Sequence, residues 1–489
     1  MSQIFNPYLP LYECIPDGEP HVFGDRVYIY GSHETEGGNC FCNLDYVTYS
    51  APVTDLKNWR YEGVIYRAKQ DPLYEKYPYM FAPDVVKGGD GRYYLYYSTS
   101  SIFPNCSFVM SVAVCDTPCG KFEFLGHVKN PDGTIMQDYC VFDPGVINDN
   151  GTIRLYYGQW WNYFEDNNLT YEQAVNKTAT FLRKTTNEIV KSEGGAMGAV
   201  MAELCDDMLT IKTKPKHIIP QPYKDTDFCG HEFFEASSLR VINGKYYFIY
   251  STYNGHELAY ATSDYPDKDF KFGGVIISNG DIGYKGRSPK DRLNRTGNNH
   301  GSIEKINGEW YVFYHRQTHK NEFSRQACAE KISISDDGTI EQVEMTSCGL
   351  NGGPLKAEGT YPAVICCNLS NGNMPHSDCM DKRLPNITNN DKERYIEEIE
   401  DGTFFAYKYF DFNNVKKIGI SFRSGDIPPQ GEMLIKTDFS DTECAKIKIE
   451  PEKEWTISHA EVSIQNGTHA LYFEYRGAGS VEVKDIYFN

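Results

Sequence analysis

Asp17, Asp143 and Glu235 are the residues of this 489-residue chain whose types and settings best suit acid–base chemistry. Asp17 lies in Pro16-Asp17-Gly18-Glu19-Pro20, a proline-bounded bend whose backbone donors would hold a carboxylate ionised. Glu235 lies in Phe233-Phe234-Glu235-Ala236-Ser237, where apolar neighbours would raise its pKa. Asp143, in Phe142-Asp143-Pro144-Gly145, would add like-charge repulsion that helps keep a nearby acid protonated. One carboxylic acid that protonates a leaving oxygen and one carboxylate that acts as base or nucleophile are the requirements of glycoside hydrolysis. Each such general acid–base step is worth about 10²–10⁴-fold in rate. The roles expected are Asp17 as base, Glu235 as acid and Asp143 as the third member.

Residues this far apart in sequence need a scaffold that gathers them, and the chain supplies a repeat. The copies are Gly24-Asp25-Arg26-Val27-Tyr28-Ile29-Tyr30, Gly91-Arg92-Tyr93-Tyr94-Leu95-Tyr96-Tyr97, Gly151-Thr152-Ile153-Arg154-Leu155-Tyr156-Tyr157, Gly244-Lys245-Tyr246-Tyr247-Phe248-Ile249-Tyr250 and Gly308-Glu309-Trp310-Tyr311-Val312-Phe313-Tyr314. Each reads as a turn glycine followed by a buried strand. Seven to nine residues before each glycine stands one polar residue: Asp17, Asp84, Asp143, Glu235 or His300. A lone Asp before Gly or Pro is usually a turn residue, but turn residues would not all fall at nearly one offset from the same phrase. Repeated strand–turn–strand units predict radial repetition, a five-bladed β-propeller whose first strands line the axis. Small residues beside most of the polar ones would let those strands approach closely. Trp160-Trp161, just past the second strand of the third unit, would stack on a sugar face or cap the blade.

The bulk numbers agree with this picture. The length exceeds one compact core, so two domains are expected. Aromatic residues make up 14% with 37 Tyr, which favours sheet over helix bundle. The net charge of −19 argues against nucleic acid or a membrane surface as partner and is compatible with a neutral sugar. The N-terminal residues carry no signal-peptide pattern and no run of 18 apolar residues occurs. With 15 irregularly spaced cysteines this reads as a reduced, cytoplasmic protein. Cys40-Phe41-Cys42 and Cys366-Cys367 do not have structural-zinc spacing.

Along the chain, the gaps between repeat glycines are 67, 60, 93 and 64 residues. The long gap holds an insert from Thr170 to Val200, of helix-like composition up to Glu193. The expected organisation is a propeller over 1–350, an Asn/Ser/Pro/Asp-rich linker or long loop over 351–394 and a β-sandwich of jelly-roll type over 395–489. Its strands are read at Lys417–Phe422, Met433–Lys436, Ala470–Tyr475 and Val481–Phe488.

On these residues the chain resembles glycoside hydrolase family 43, a family of five-bladed propellers that includes inverting β-xylosidases, α-L-arabinofuranosidases and endo-arabinanases. The motifs carrying the resemblance are Pro16–Pro20, Phe81-Ala82-Pro83-Asp84 with Phe where Trp is more usual, Phe142-Asp143-Pro144, Glu235-Ala236-Ser237 and His300-Gly301-Ser302. The resemblance implies Asp17 as general base, Asp143 as pKa modulator and orienter, and Glu235 as general acid. It places His300 at the axis, in contact with a water-coordinated ion, commonly calcium. It places His33 and Phe81 at the pocket for the terminal sugar and makes Arg316 a candidate substrate contact, while Asp84, read from its register in the repeat, would hold the pocket wall. Lys408–Phe412 and Val483–Phe488 resemble a family 6 carbohydrate-binding module, which implies Glu398, Glu400 and Asp485 as candidate ligands of a structural calcium. No cofactor is needed for the chemistry.

The function expected is an exo-glycosidase that releases terminal α-L-arabinofuranose from xylan- or arabinan-derived oligosaccharides, with β-xylosidase activity as a companion or the main activity. The rivals are a non-catalytic sugar-binding propeller and a retaining fructan hydrolase, whose Asn-Asp-Pro-Asn opening is absent here. Oligomeric state is not legible in the sequence.

Overall fold

The structure, a computed structural model, describes residues 3–100, 108–137, 140–160, 197–219, 225–377, 383–439 and 442–489, with isolated positions between 173 and 187 and residue 380. The helix-like insert falls mostly outside the described residues, though 175–176 and 179–180 are helical. The described fold is all-β. Its first two-thirds holds five antiparallel sheets, each a meander in chain order. The strand that opens the hairpin of each sheet is Glu19–Phe23, Asp84–Lys87, Gly145–Asp149, Phe233–Ile242 or Ser302–Ile306. These five touch one another in cyclic order, and the last returns to the first.

The repeated phrase explains the hairpins. All five repeat glycines have positive φ, from 68° at Gly24 to 93° at Gly151. In three of them the preceding Asn150, Asn243 or Asn307 is also left-handed, the Asn-Gly pairing of a type I′ turn. The aromatic strand that follows each glycine alternates its side chains between the two faces of its sheet. Tyr28 and Tyr30 face the second sheet, while Val27 and Ile29 pack with Phe313 and Ala329 of the fifth. Apolar cores therefore separate every consecutive pair of sheets, fifth against first included. The fifth sheet has three strands, and the chain's start lies along its outer edge. Tyr8 N donates to Ala327 O at 3.2 Å, and Asn6 Oδ1 accepts from Ala329 N at 3.1 Å.

The remaining chain forms two six-stranded sheets that bury Phe405, Tyr407, Ile420, Phe473 and Ile486 in one core. All four strands expected after 395 are present. The expected linker over 351–394 is not a linker. Leu355–Lys356 and Asn368–Ser370 pair with Phe404–Phe412, Gly359–Pro362 pairs with Val481–Phe488, and Asn386–Asn389 pairs with Arg394–Ile399. Strands of two to four residues leave little periodicity to read in a polar stretch.

The two regions share buried charge. Lys408, 5% exposed, places its ammonium 3.0 Å from both Asp281 and Glu344 of the first region. Asp281 also accepts from Asn368 Nδ2 at 3.1 Å and Met345 N at 2.7 Å. Removing one partner of such a buried cluster strands the others without compensation. Lys408→Met is therefore expected to cost about 3–5 kcal/mol in denaturant unfolding, and a loss below about 1 kcal/mol would show that the cluster does not join the regions.

Candidate active site

Asp17, Asp143, Glu235 and His300 come together where the five hairpin-opening strands meet, and all four are buried. Asp17, Asp143 and His300 stand at one level, each six residues before the last residue of its strand, Phe23, Asp149 or Ile306. Glu235 is one residue further from its strand end because a β-bulge between Phe233 and Ser238 absorbs the extra position. Three residues here are left-handed without being glycine: Asp17 at φ 59°, Asp143 at 45° and Ala236 at 69°. Such conformations cost of order 1–3 kcal/mol each and concentrate where a side chain must be aimed. Close approach is explicit at Gly145, where a Cβ would lie 2.3 Å from Ser237 O on the neighbouring strand.

The carboxyl groups have contrasting surroundings. Burial alone would raise the pKa of Asp17, but the Arg325 guanidinium reverses this and holds it well below the usual carboxylate range. Arg325 Nη1 donates to Asp17 Oδ1 at 2.9 Å and Nη2 to Oδ2 at 3.3 Å. The other face of that guanidinium binds buried Glu34. His315 Nδ1 lies 3.3 Å from the Asp17 backbone N and from Oδ1, and its Nε2 donates to Asn298 O at 2.8 Å. Glu235 has no cation within ion-pair distance among the described residues. Burial pushes it up to about 7, partly offset by two amide donors, Gln159 Nε2 to Oε2 at 2.9 Å and Asn298 Nδ2 to Oε1 at 3.3 Å. Asp143 is raised well above its ordinary value, first by burial and then by Glu235 and Asp17. Its Oδ2 accepts from Ala236 N at 3.2 Å, which ties it to the residue after Glu235. His300 Nδ1 lies 3.7 Å from Asp17 Oδ1 and 3.5 Å from Asp143 Oδ2, and burial lowers its pKa to about 4.

Asp84 is not on this level. It pairs with Tyr96 as Glu19 pairs with Tyr30 and Gly145 with Tyr156, so it belongs two residues deeper, with Ala82 in the position of Asp17. The five-residue turn 88–92, longer than the two-residue turns of the other hairpins, is what misaligned it against the repeat glycine. Asp84 accepts from Val146 N at 2.6 Å on the next strand and lies 2.6 Å from His21 Nε2. It stitches adjacent strands together. Phe81 packs its ring 5.2 Å from Phe142, next to Asp143. Trp160 N donates to Phe234 O at 2.8 Å, beside Glu235, and its ring meets Tyr253 edge-on at 5.2 Å. Trp161 lies outside the described residues. His33 is half-buried between Asp45 O at 2.9 Å and Glu13 Oε2 at 3.2 Å, one residue from Glu34.

Arg316 is buried and engaged within the protein. Its guanidinium donates to Cys366 O and Val364 O at 2.7 Å and to Gln326 Oε1 at 2.9 Å, which binds the second region. The proposed calcium ligands of that region do not converge. Glu398 is bonded to Lys320 and to Leu384 N, both at 2.7 Å, and Glu400 pairs with Arg383 at 2.9 Å. Among the described residues only Glu19, His21 and Asp84 bring three candidate metal-ligand atoms within 4.8 Å of one another. That set does not suit a divalent cation, because Arg240 already neutralises Glu19 at 2.8 Å. His300 assembles no such set either. Arg325, His315, Gln159 and Asn298 were not singled out by the sequence. Only His315 carried a signal, at the end of a repeat phrase.

Comparison with known proteins agrees with this geometry. The sequence profile of glycosyl hydrolases family 43 matches residues 20–198 and 190–340. A xylosidase/arabinosidase of Thermoclostridium stercorarium is 45% identical over 99% of this chain and 98% of its own length. A xylosidase/arabinosidase of Bacteroides ovatus is 30% identical over 63% of this chain and 87% of its own. Among solved structures, a family 43 arabinoxylan arabinofuranohydrolase from Bacillus subtilis, in complex with cellotetraose, shares the fold over 99% of this chain and 97% of its own, with a TM-score of 0.50 at 20% identity. A family 43 β-xylosidase/α-arabinofuranosidase from a compost metagenome, in complex with xylotriose and in calcium-free form, covers 68% of this chain and 96% of its own, with a TM-score of 0.50 at 26% identity. With its profile match spanning most of the five sheets and its similarity to a relative reaching from end to end, this chain belongs to glycosyl hydrolases family 43.

Proposed function

We propose that the protein is an inverting exo-glycosidase that releases terminal α-L-arabinofuranose from xylan- or arabinan-derived oligosaccharides and accepts β-xylosides in the same pocket. The observation that carries the reading is the contrast between two buried carboxyls at one axis. Asp17 is locked to a guanidinium, whereas Glu235 is held among amides and apolar side chains. In this reading Asp17 takes a proton from a water as that water's oxygen bonds the anomeric carbon. Glu235 gives its proton to the glycosidic oxygen as the C–O bond breaks toward that oxygen. Asp143 and the acid repel each other when both are charged, so they do not ionise together, and Asp143 is tied through Ala236 to the acid's position. His300, neutral, fills the space between Asp17 and Asp143. Phe81, Phe142 and Trp160 supply apolar surface for the sugar ring. The chemistry uses protein groups alone.

The five sheets are read as the blades of a five-bladed propeller over 1–350, and residues 351–489 as one β-sandwich of carbohydrate-binding-module type. The described cysteines form no disulfide with one another, which suits a reducing compartment, and we place the enzyme in the cytoplasm. The names of the relatives support both sugars as substrates.

Three outcomes are expected. Aryl α-L-arabinofuranosides should be cleaved faster than aryl β-D-xylosides. The reverse order would make xylosidase the main activity, and turnover of neither would remove the proposal. Glu235→Ala should lower kcat on unactivated oligosaccharides by about 10²–10⁴-fold while largely sparing a dinitrophenyl glycoside, which needs no acid. The pH dependence follows from the same groups. Glu235 must be protonated, so kcat/KM should fall above a limb near pH 7. Asp17 must be ionised and is held low, so the acid limb should lie below the usual carboxylate range. A profile flat to pH 9 would contradict the assignment.

A further inference from the structure

A general acid alternates between two bonding states, and its neighbours must tolerate both. In the structure both oxygens of Glu235 accept hydrogen bonds, from Gln159 Nε2 at 2.9 Å and Asn298 Nδ2 at 3.3 Å. That is the pattern of an ionised carboxylate, which accepts only. Once protonated, one oxygen carries a hydrogen and needs an acceptor where a donor now stands. Gln159 is poorly placed to provide it. Its own Oε1 accepts from the Cys140 thiol at 3.9 Å, and its backbone O from Gly198 N at 2.8 Å.

Asn298 has what is missing. Its Oδ1 is buried and has no hydrogen-bond partner among the described residues. Turning the amide by about 180° about its last bond exchanges oxygen and nitrogen, because the two ends of an amide differ little in shape. The backbone need not move. Asn298 O is held by His315 Nε2 at 2.8 Å and Gln317 Nε2 at 2.7 Å. Two residues earlier, Thr296 N donates to Pro375 O at 3.2 Å and Thr296 O accepts from Ser377 N at 2.7 Å, both from the second region. The side-chain amide is thus the adaptable part of an otherwise pinned segment.

We propose that Asn298 is a positioning residue for Glu235 whose amide reverses with the acid's protonation. Oδ1 accepts the Glu235 O–H before transfer, and Nδ2 donates to the carboxylate after it. No bond to Asn298 forms or breaks, and the proton goes to the glycosidic oxygen. The proposal rests on Glu235 being the proton donor. The charged groups that act on Glu235 from the surrounding strands are Asp17, Asp143 and Arg325, and all of them stay in place in the variants below.

The test uses the full-length enzyme with Asn298→Leu and Asn298→Asp, and Glu235→Ala measured alongside. Asn298→Leu should lower kcat at least about tenfold on unactivated oligosaccharides and less than about threefold on a dinitrophenyl glycoside. KM should be nearly unchanged, and the basic limb of the pH profile should move up, because the charge-assisted bond lost from the carboxylate is stronger than the neutral bond lost from the acid. Asn298→Asp keeps an acceptor but adds a negative charge, so its basic limb should move further up; it also serves if the leucine variant does not fold. A rise in KM with kcat and the limb unchanged would make Asn298 a sugar contact and overturn the proposal. Equal losses on both leaving groups would also overturn it. If Glu235→Ala itself shows no dependence on leaving group, the acid assignment fails. If Glu235→Ala shows it and the Asn298 variants do not, only the role of Asn298 fails.

Discussion

One buried guanidinium decides how charge is distributed at the axis. Three of the five hairpins deliver Asp17, Asp143 and Glu235 to a small buried volume, where three carboxylates cannot all remain ionised. Arg325, 2% exposed, grips Asp17 on one side and Glu34 on the other. Its fork geometry suits two carboxylates at once, and it stays charged at any working pH. Asp17 therefore keeps its charge, and that charge adds to burial, the larger cause, in raising Asp143 and Glu235. A base and an acid made of the same chemical group, a short distance apart, follow from burying both and pairing only Asp17 with the cation. The same cation would be costly to bury alone, so Glu34 is as much a part of the site as the residues that face the sugar.

The rest of the chain can be understood as what keeps that arrangement from relaxing. The axial strands are held by Asp84 reaching across to Val146, and by Glu19 with Arg240 and Ser238. The second region reaches the site's supports at several places. Arg394 Nε binds Glu36 at 2.8 Å, two residues from Glu34, and the pairing of 296 with 375–377 backs the segment that carries Asn298 and His300. Together with Lys408 buried against Asp281, these contacts make the second region a brace for the first rather than a tethered passenger. A mutation in it can therefore reach catalysis without touching a sugar.

Much of this was legible in the sequence because it rests on repetition. The glycines had to be left-handed, the strands after them had to be aromatic and alternating, and three of the polar residues fell on one level for that reason. The errors have physical causes. Distance to a glycine puts Asp84 level with Asp17, and the longer turn of its hairpin sets it two residues deeper. Arg316 and His315 sit on opposite faces of one strand, and the sequence does not say which face meets the axis. Arg325 comes from the third strand of its sheet, where no repeated phrase marks it, and its partner Asp17 lies at the other end of the region. The stretch 351–394 was polar and short-stranded, so its share in both later sheets emerged only when the strands were seen paired.

The claim that a single guanidinium separates the two carboxyls is tested most directly by watching them titrate. Infrared difference spectra of the carboxyl bands, assigned with Asp17→Asn and Glu235→Gln, would follow each group as the pH is lowered. The account predicts that Glu235 takes up its proton near pH 7 while Asp17 remains ionised below the range of ordinary carboxylates. Protonation of Asp17 before Glu235 would contradict it.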